Sequence, residues 1–167
     1  KIASRLGISK QASTFTKETN IFDMVLTNYR PTKSQYENIE DKPTCVLIDE
    51  AQFLTKEQVW QLTDIVDLLN IAVIAYGLRS DYLGEPFEGS TYLMTLADKI
   101  EELKTICEFG DKASMNMRLL DGEPVFEGEQ VQIGGNESYL PVCRKYFKKL
   151  CYIKLKNTKY WIMHWRN

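Results

Sequence analysis

From Thr44 to Ile48 the chain is apolar at nearly every position, a run that predicts a strand buried on both faces of a parallel sheet. The period then changes. Val59, Trp60, Leu62, Ile65, Val66 and Leu69 recur at helical spacing between Lys56 and Leu69, so this stretch is expected to form an amphipathic helix. Thr55 with Gln58 three positions on has the pattern of a capping box at its start. Asn70 closes the helix, and Ile71 to Tyr76 predicts a second buried strand. Strand, helix and strand with short joins make the crossover unit of a parallel sheet. Ile21 to Leu26 is apolar but too short to decide between strand and helix. A further helix is expected between Gly89 and Ala97, followed by a strand leading to Cys107.

Polar punctuation marks the divisions. Lys1 to Asn20 is polar and mixed, and Tyr29 to Pro43, rich in Pro, Asn, Lys and Glu, reads as an exposed connection. After Cys107 the pattern weakens, and Gly134-Gly135-Asn136 is a strong turn signal, so a small β-rich appendage is expected. Cys151 to Asn167 carries Lys154, Lys156, Lys159 and Arg166 among Tyr152, Tyr160, Trp161 and Trp165, with no acid. The expected organisation is an α/β domain over 1–105, an appendage over 106–147 and an atypical basic and aromatic tail over 148–167.

Composition narrows the function classes. The 167 residues carry a formal charge of -2, which provides no general attraction to nucleic acid or acidic membranes but leaves room for a local nucleotide site. No apolar run approaches the length needed to cross a bilayer, and the start lacks a secretory pattern. Cys45, Cys107, Cys143 and Cys151 lack the dense spacing of a disulfide framework, so reduced thiols in a cytoplasmic protein are expected. The first residue is Lys1 rather than Met, and the chain is read as a fragment, a processed product or a partial reading of a gene.

The most informative local motif is Val46-Leu-Ile-Asp49-Glu50-Ala-Gln52-Phe53. An Asp at the carboxyl end of a buried parallel strand lies where such sheets bind ligands, and can hold Mg²⁺ beside nucleotide phosphates. The adjacent Glu can act as a general base. On these letters alone, a plain surface loop remains open. Asp-Glu-Ala-Gln also occurs in nucleic-acid helicases, but the second motor domain and the Ser-Ala-Thr element that they need are absent from this sequence.

Four blocks in order resemble thymidine kinases of the cellular and bacterial type, over most of 1–147: Lys1-Ile-Ala-Ser-Arg-Leu-Gly7, Ile48-Asp-Glu-Ala-Gln-Phe53, Tyr76-Gly-Leu-Arg-Ser-Asp-Tyr-Leu-Gly-Glu-Pro-Phe87, and Arg118-Leu with Gly128-Glu-Gln-Val-Gln-Ile-Gly-Gly-Asn-Glu-Ser-Tyr139 and Cys143-Arg. The resemblance implies a P-loop NTPase-like α/β domain with a small lasso and zinc-type appendage, and transfer of the ATP γ-phosphate to the 5′-hydroxyl of deoxythymidine. It also implies residue roles. Glu50 matches the catalytic base and Asp49 the acid near Mg²⁺. Leu78, Tyr82 and Phe87 match walls of the nucleoside pocket, with Phe53 on the same side. Tyr139 matches the lasso residue over the base, and backbone groups of Val131, Gln132 and Ile133 match those that bond the thymine edge. Aromatic walls suit a flat base, and backbone amides and carbonyls suit its donor–acceptor edge. Taken without the resemblance, Tyr82, Phe87 and Tyr139 read as core aromatics.

The sequence also departs from that family. No Gly-x-x-x-x-Gly-Lys-Ser/Thr occurs in it, so the loop that cradles phosphates, with its strand, is expected upstream of Lys1. Cys107 and Cys143 match one zinc ligand of each pair, but the partner positions hold Glu108-Phe109-Gly110 and Tyr146. Two soft ligands do not close a tetrahedral site, so zinc is not expected. Membership would bring deoxythymidine, ATP and Mg²⁺, a homotetramer, and no membrane or nucleic-acid partner. The leading expectation is a thymidine kinase whose present chain is inactive. A non-catalytic nucleoside-binding remnant is the alternative, and a helicase-like ATPase stands third.

Overall fold

The computed structural model describes residues 2–3, 9–29, 43–130 and 137–157. The chain divides into two units that interleave along it: Lys1–Gly77 with Glu88–Leu96, and Leu78–Phe87 with Ala97–Asn167.

In the first unit, β1 (Ile2–Ala3) pairs antiparallel with β2 (Ser9–Lys10). Helix α1 (Ile21–Tyr29) follows, so the ambiguous apolar segment is helical. Its start is held from two sides: Asn20 Oδ1 accepts the Asp23 N–H at 3.0 Å, and Gln61 Oε1 accepts the Ile21 N–H at 2.7 Å. Strand β3 (Cys45–Ile48) pairs in parallel with β4 (Ala72–Ala75), Cys45 opposite Ala72 and Ile48 opposite Ala75, and α2 (Lys56–Leu69) forms the crossover. The capping box is present: Thr55 Oγ1 accepts the Gln58 N–H at 3.2 Å, and Gln58 Oε1 accepts the Thr55 N–H at 3.1 Å. The same buried amide donates from Nε2 to the carbonyls of Thr16 and Thr19 at 2.7 and 3.0 Å. Gln58 thus caps its own helix and ties down the approach to α1. Asn70 ends α2 in the left-handed conformation that Asn tolerates.

Ile21, Ile48, Leu54, Val59, Leu62, Ile65 and Ile71 form the core of this unit, with Val46, Val73 and Ala75 packed against it. Each fully buried aliphatic side chain contributes about 1.5–3 kcal/mol of hydrophobic stabilisation. The expectation of strands buried on both faces is corrected here. Leu47 is 67% exposed and its partner Ile74 45%, because side chains alternate across a strand and, among the described residues, only one face of this two-stranded sheet is covered. Trp60, placed by periodicity on the apolar stripe, is also half exposed. Helix α3 (Glu88–Leu96) completes the unit and packs on α2.

The second unit is built mainly of antiparallel strands. Strand β5 (Thr105–Ile106) pairs with β6 (Lys112–Ala113) around a turn at Cys107–Gly110. Central strand β7 (Met115–Leu120) pairs with β8 (Glu123–Pro124) on one side and β9 (Glu137–Val142) on the other. Asp121 and Gly122 join β7 to β8 with φ of 51° and 85°, the two positive values that a tight Asp-Gly hairpin requires. Helix α4 (Arg144–Asn157) packs Phe147 against Met117 and Val142, and Phe126 meets Phe147 edge-on with ring centroids 5.8 Å apart. The helix continues through 148–157 of the basic and aromatic tail, and 158–167 lie outside the described residues.

Candidate functional site

Asp49 and Glu50 leave the carboxyl end of β3, both exposed. The ladder continues one step past the strands: the Tyr76 N–H donates to the Ile48 carbonyl and the Ala51 N–H to the Tyr76 carbonyl, each at 2.8 Å. Between those anchors the chain turns into a single 3₁₀ turn at Ala51–Phe53, and Glu50 takes φ 53°, ψ 38°. A residue with a side chain pays roughly 1–3 kcal/mol for such a conformation, which persists where surrounding contacts impose it. Those contacts are visible. The Glu50 N–H donates to Asp49 Oδ1 at 3.0 Å, and Gln52 Nε2, on a side chain only 2% exposed, donates to Glu50 Oε2 at 2.6 Å.

Two glycines complete the mould. A Cβ on Gly77 would lie 2.8 Å from Gln52 Oε1 and 2.9 Å from its backbone nitrogen. One on Gly89 would lie 2.6, 2.8 and 2.9 Å from the carbonyl oxygens of Ala51, Leu54 and Gln52. The Lys56 N–H at the start of α2 donates to Glu88 Oε1 at 3.1 Å, so the beginning of α3 also holds the end of this loop. Phe53, on the same turn, is 41% exposed. Sequence reasoning named Asp49, Glu50 and Phe53 but missed Gln52, Gly77 and Gly89 as the groups that shape them. Their signal was weak: Gln52 stood in the motif, and a glycine directly after a buried strand often marks a close approach.

In the second unit, Tyr82 is 1% exposed and its hydroxyl donates to the Gly128 carbonyl at 2.8 Å. The buried Arg118 guanidinium lies over the Tyr82 ring, 3.8 Å from its centroid, and donates from Nη1 and Nη2 to the carbonyls of Glu129 and Glu127 at 3.0 and 2.9 Å. Asp81, also buried, accepts the Leu83 and Glu85 N–H groups on Oδ1 at 2.8 and 2.9 Å, and Gln130 Nε2 on Oδ2 at 3.1 Å. Segment 127–130 is therefore fastened by three buried side chains. Burial pushes the Tyr82 phenol above its ordinary range, and the nearby Arg118 charge opposes that rise. Tyr139 lies on β9 directly opposite Arg118, so the two side chains leave the sheet on one face, and Tyr139 is 51% exposed. Phe87 is buried and Leu78 is 44% exposed. Val131, Gln132 and Ile133 lie outside the described residues. Arg118 and Asp81 were not singled out from the sequence, although both stand inside the quoted blocks.

Cys107 and Cys143 are buried free thiols of this unit. Burial pushes the Cys107 thiol up, but the amides of Phe109, Cys143 and Asp111 together with the Cys143 thiol outweigh it and hold it below its ordinary value. The two thiols are thus close neighbours. Among the described residues no group of three or more His, Cys, Asp or Glu side chains comes together to hold a metal ion, so the donor set visible here does not fit a closed zinc site.

Against this geometry, the thymidine kinase family model matches residues 2–147. The chain belongs to the thymidine kinase family. It is 53% identical over 150 residues to a thymidine kinase of Mannheimia succiniciproducens, covering 89% of this chain and 72% of that protein. It is 52% identical over 152 residues to one of Haemophilus influenzae (90% and 74%) and 50% identical over 149 residues to one of Lactococcus lactis subsp. lactis (89% and 73%). The mixed α/β architecture with a small parallel sheet agrees with that membership. Among the described residues no helix is long and apolar enough to cross a membrane.

Proposed function

We propose that this protein is the thymidine-phosphorylating enzyme of DNA-precursor salvage, using ATP as phosphoryl donor. The observation that carries the reading is the acidic pair at the end of β3, with Glu50 oriented by Gln52, in a chain of this family. Glu50 takes the proton of the nucleoside 5′-hydroxyl as that oxygen bonds to the γ-phosphorus and the bond to the β–γ bridging oxygen breaks, releasing ADP. Asp49 is a single exposed carboxylate, a donor set that fits Mg²⁺ completed by water and phosphate oxygens. When bound, that ion neutralises charge on the phosphates. Phe53 in the first unit, and Leu78, Tyr82, Phe87 and Tyr139 in the second, are assigned to nucleoside recognition. The backbone of Val131, Gln132 and Ile133 is assigned to the thymine edge. Tyr82 serves indirectly, by fastening Gly128, which precedes that segment in the sequence.

The 167 residues contain no phosphate-cradling glycine-rich loop, so by themselves they are assigned no turnover, and nucleoside binding without transfer is the second reading. A cytoplasmic setting and a homotetramer complete the proposal, the latter checked by light scattering. The functional test joins this chain to the first strand and glycine-rich loop of a related thymidine kinase and follows label from the ATP γ-phosphate into thymidine. Transfer that is lost in Glu50→Gln supports the reading. A joined, folded and nucleotide-binding protein without transfer would leave only the binding module.

A further inference from the structure

We infer that the second unit carries a binding site for a compact polyphosphate anion, separate from the residues assigned above to nucleoside phosphorylation. A cavity of about 510 Å³ in this unit is lined by Arg79, Lys112, Arg144, Lys145 and Lys148, with Asp111 as its sole acidic lining residue among the described residues. The cations come from three separate places: Arg79 after the first unit's Gly77, Lys112 on β6, and the other three on the first turns of α4. Lys112 is paired with Glu102. Among the described residues none of Arg79, Arg144, Lys145 and Lys148 forms an ion pair.

The placement on α4 is electrostatically adverse as it stands. A helix start carries partial positive charge and favours acids, yet the first turn of α4 has no acid. Arg144 and Lys148, four residues apart, add like-charge repulsion on one face. A bound anion relieves both effects at once, and Ser114 is a neutral polar residue of the same lining. The excess of cations over carboxylates suits several linked phosphates better than one. The recognised chemistry is the polyphosphate itself, whether free or borne by a nucleotide.

The experiment titrates the 167-residue protein with sodium tripolyphosphate, and separately with magnesium-free ATP, at constant ionic strength. Binding is followed by calorimetry, and acetylation of lysines is mapped by mass spectrometry with and without each anion. Saturable tripolyphosphate binding that protects Lys145 and Lys148 from acetylation is expected. It should weaken about tenfold or more in the doubly substituted R144Q/K148Q protein, as loss of charged hydrogen-bond donors requires, and stay unchanged in E50Q. Tighter binding of ATP than of tripolyphosphate, with the same protected lysines, identifies a nucleotide as the natural source; equal binding identifies the free anion. The proposal is overturned by the absence of saturable binding, by protection elsewhere only, or by undiminished affinity in a folded R144Q/K148Q protein. None of these outcomes bears on thymidine phosphorylation, which Glu50 tests separately.

Discussion

Glu50 stands exposed in a left-handed conformation while its carboxylate is held at 2.6 Å by an amide that is almost completely buried. A side chain so held loses little freedom on meeting substrate, which suits the role of base proposed for it. Replacing it by Gln keeps the size and removes the basicity. In an enzyme completed with its phosphate loop, Glu50→Gln should lower kcat by about 10²–10⁴-fold while thymidine affinity changes little. Steady-state kinetics with a parallel binding titration measures both, and near-normal turnover would remove Glu50 from the role of base.

The same logic extends to the elements that hold the site. Gly89, at the start of α3, would push an added Cβ against three carbonyl oxygens of the 3₁₀ turn and its exit. Those atoms are backbone, so the turn or the helix must move. Gly89→Ala should therefore destabilise the protein by about 1–3 kcal/mol, read as a lower denaturation midpoint with an unchanged slope. In the second unit, Arg118 holds two carbonyls of 127–130 with a planar fork stacked on Tyr82. Lysine keeps the charge but not the fork. Arg118→Lys should speed hydrogen exchange through 127–130 while leaving β3 and β4 protected; unaltered exchange there would mean that Tyr82 and Asp81 fasten the segment without it.

At the scale of the whole molecule, the residues proposed for phosphoryl transfer, Asp49 and Glu50, lie in one unit, and those proposed for nucleoside recognition divide between both: Phe53 in the first, Leu78, Tyr82, Phe87 and Tyr139 in the second. Asp49 alone does not replace the ring of amides and the lysine that hold a triphosphate. The 167-residue chain should accordingly transfer no label from ATP to thymidine in a prolonged assay. Whatever ATP it retains should bind about tenfold or more weakly in the R144Q/K148Q protein. Turnover by these residues alone would show that phosphate positioning arises elsewhere in the chain.

Local chemistry is legible in the amino-acid sequence by itself. The capping box at Thr55 and Gln58, the stop at Asn70 and the parallel crossover depend on neighbours within a few positions or on strong periodicity, and each appears as expected. The Asp49–Glu50 turn is legible for the same reason, since a buried strand ending in acids predicts its own exit. Exposure of Leu47 and Ile74 is not, because an apolar run records affinity for burial and not which face of a sheet finds a cover. Nor is the transfer of 78–87 to the second unit, nor the meeting of Tyr82, Asp81 and Arg118 with 127–130. Those contacts join residues 9 to 49 positions apart, and no local propensity encodes such pairings. Periodicity and capping act along the chain, whereas the left-handed Glu50, its glycine mould and the cation-lined cavity exist only once distant segments exclude one another's alternatives.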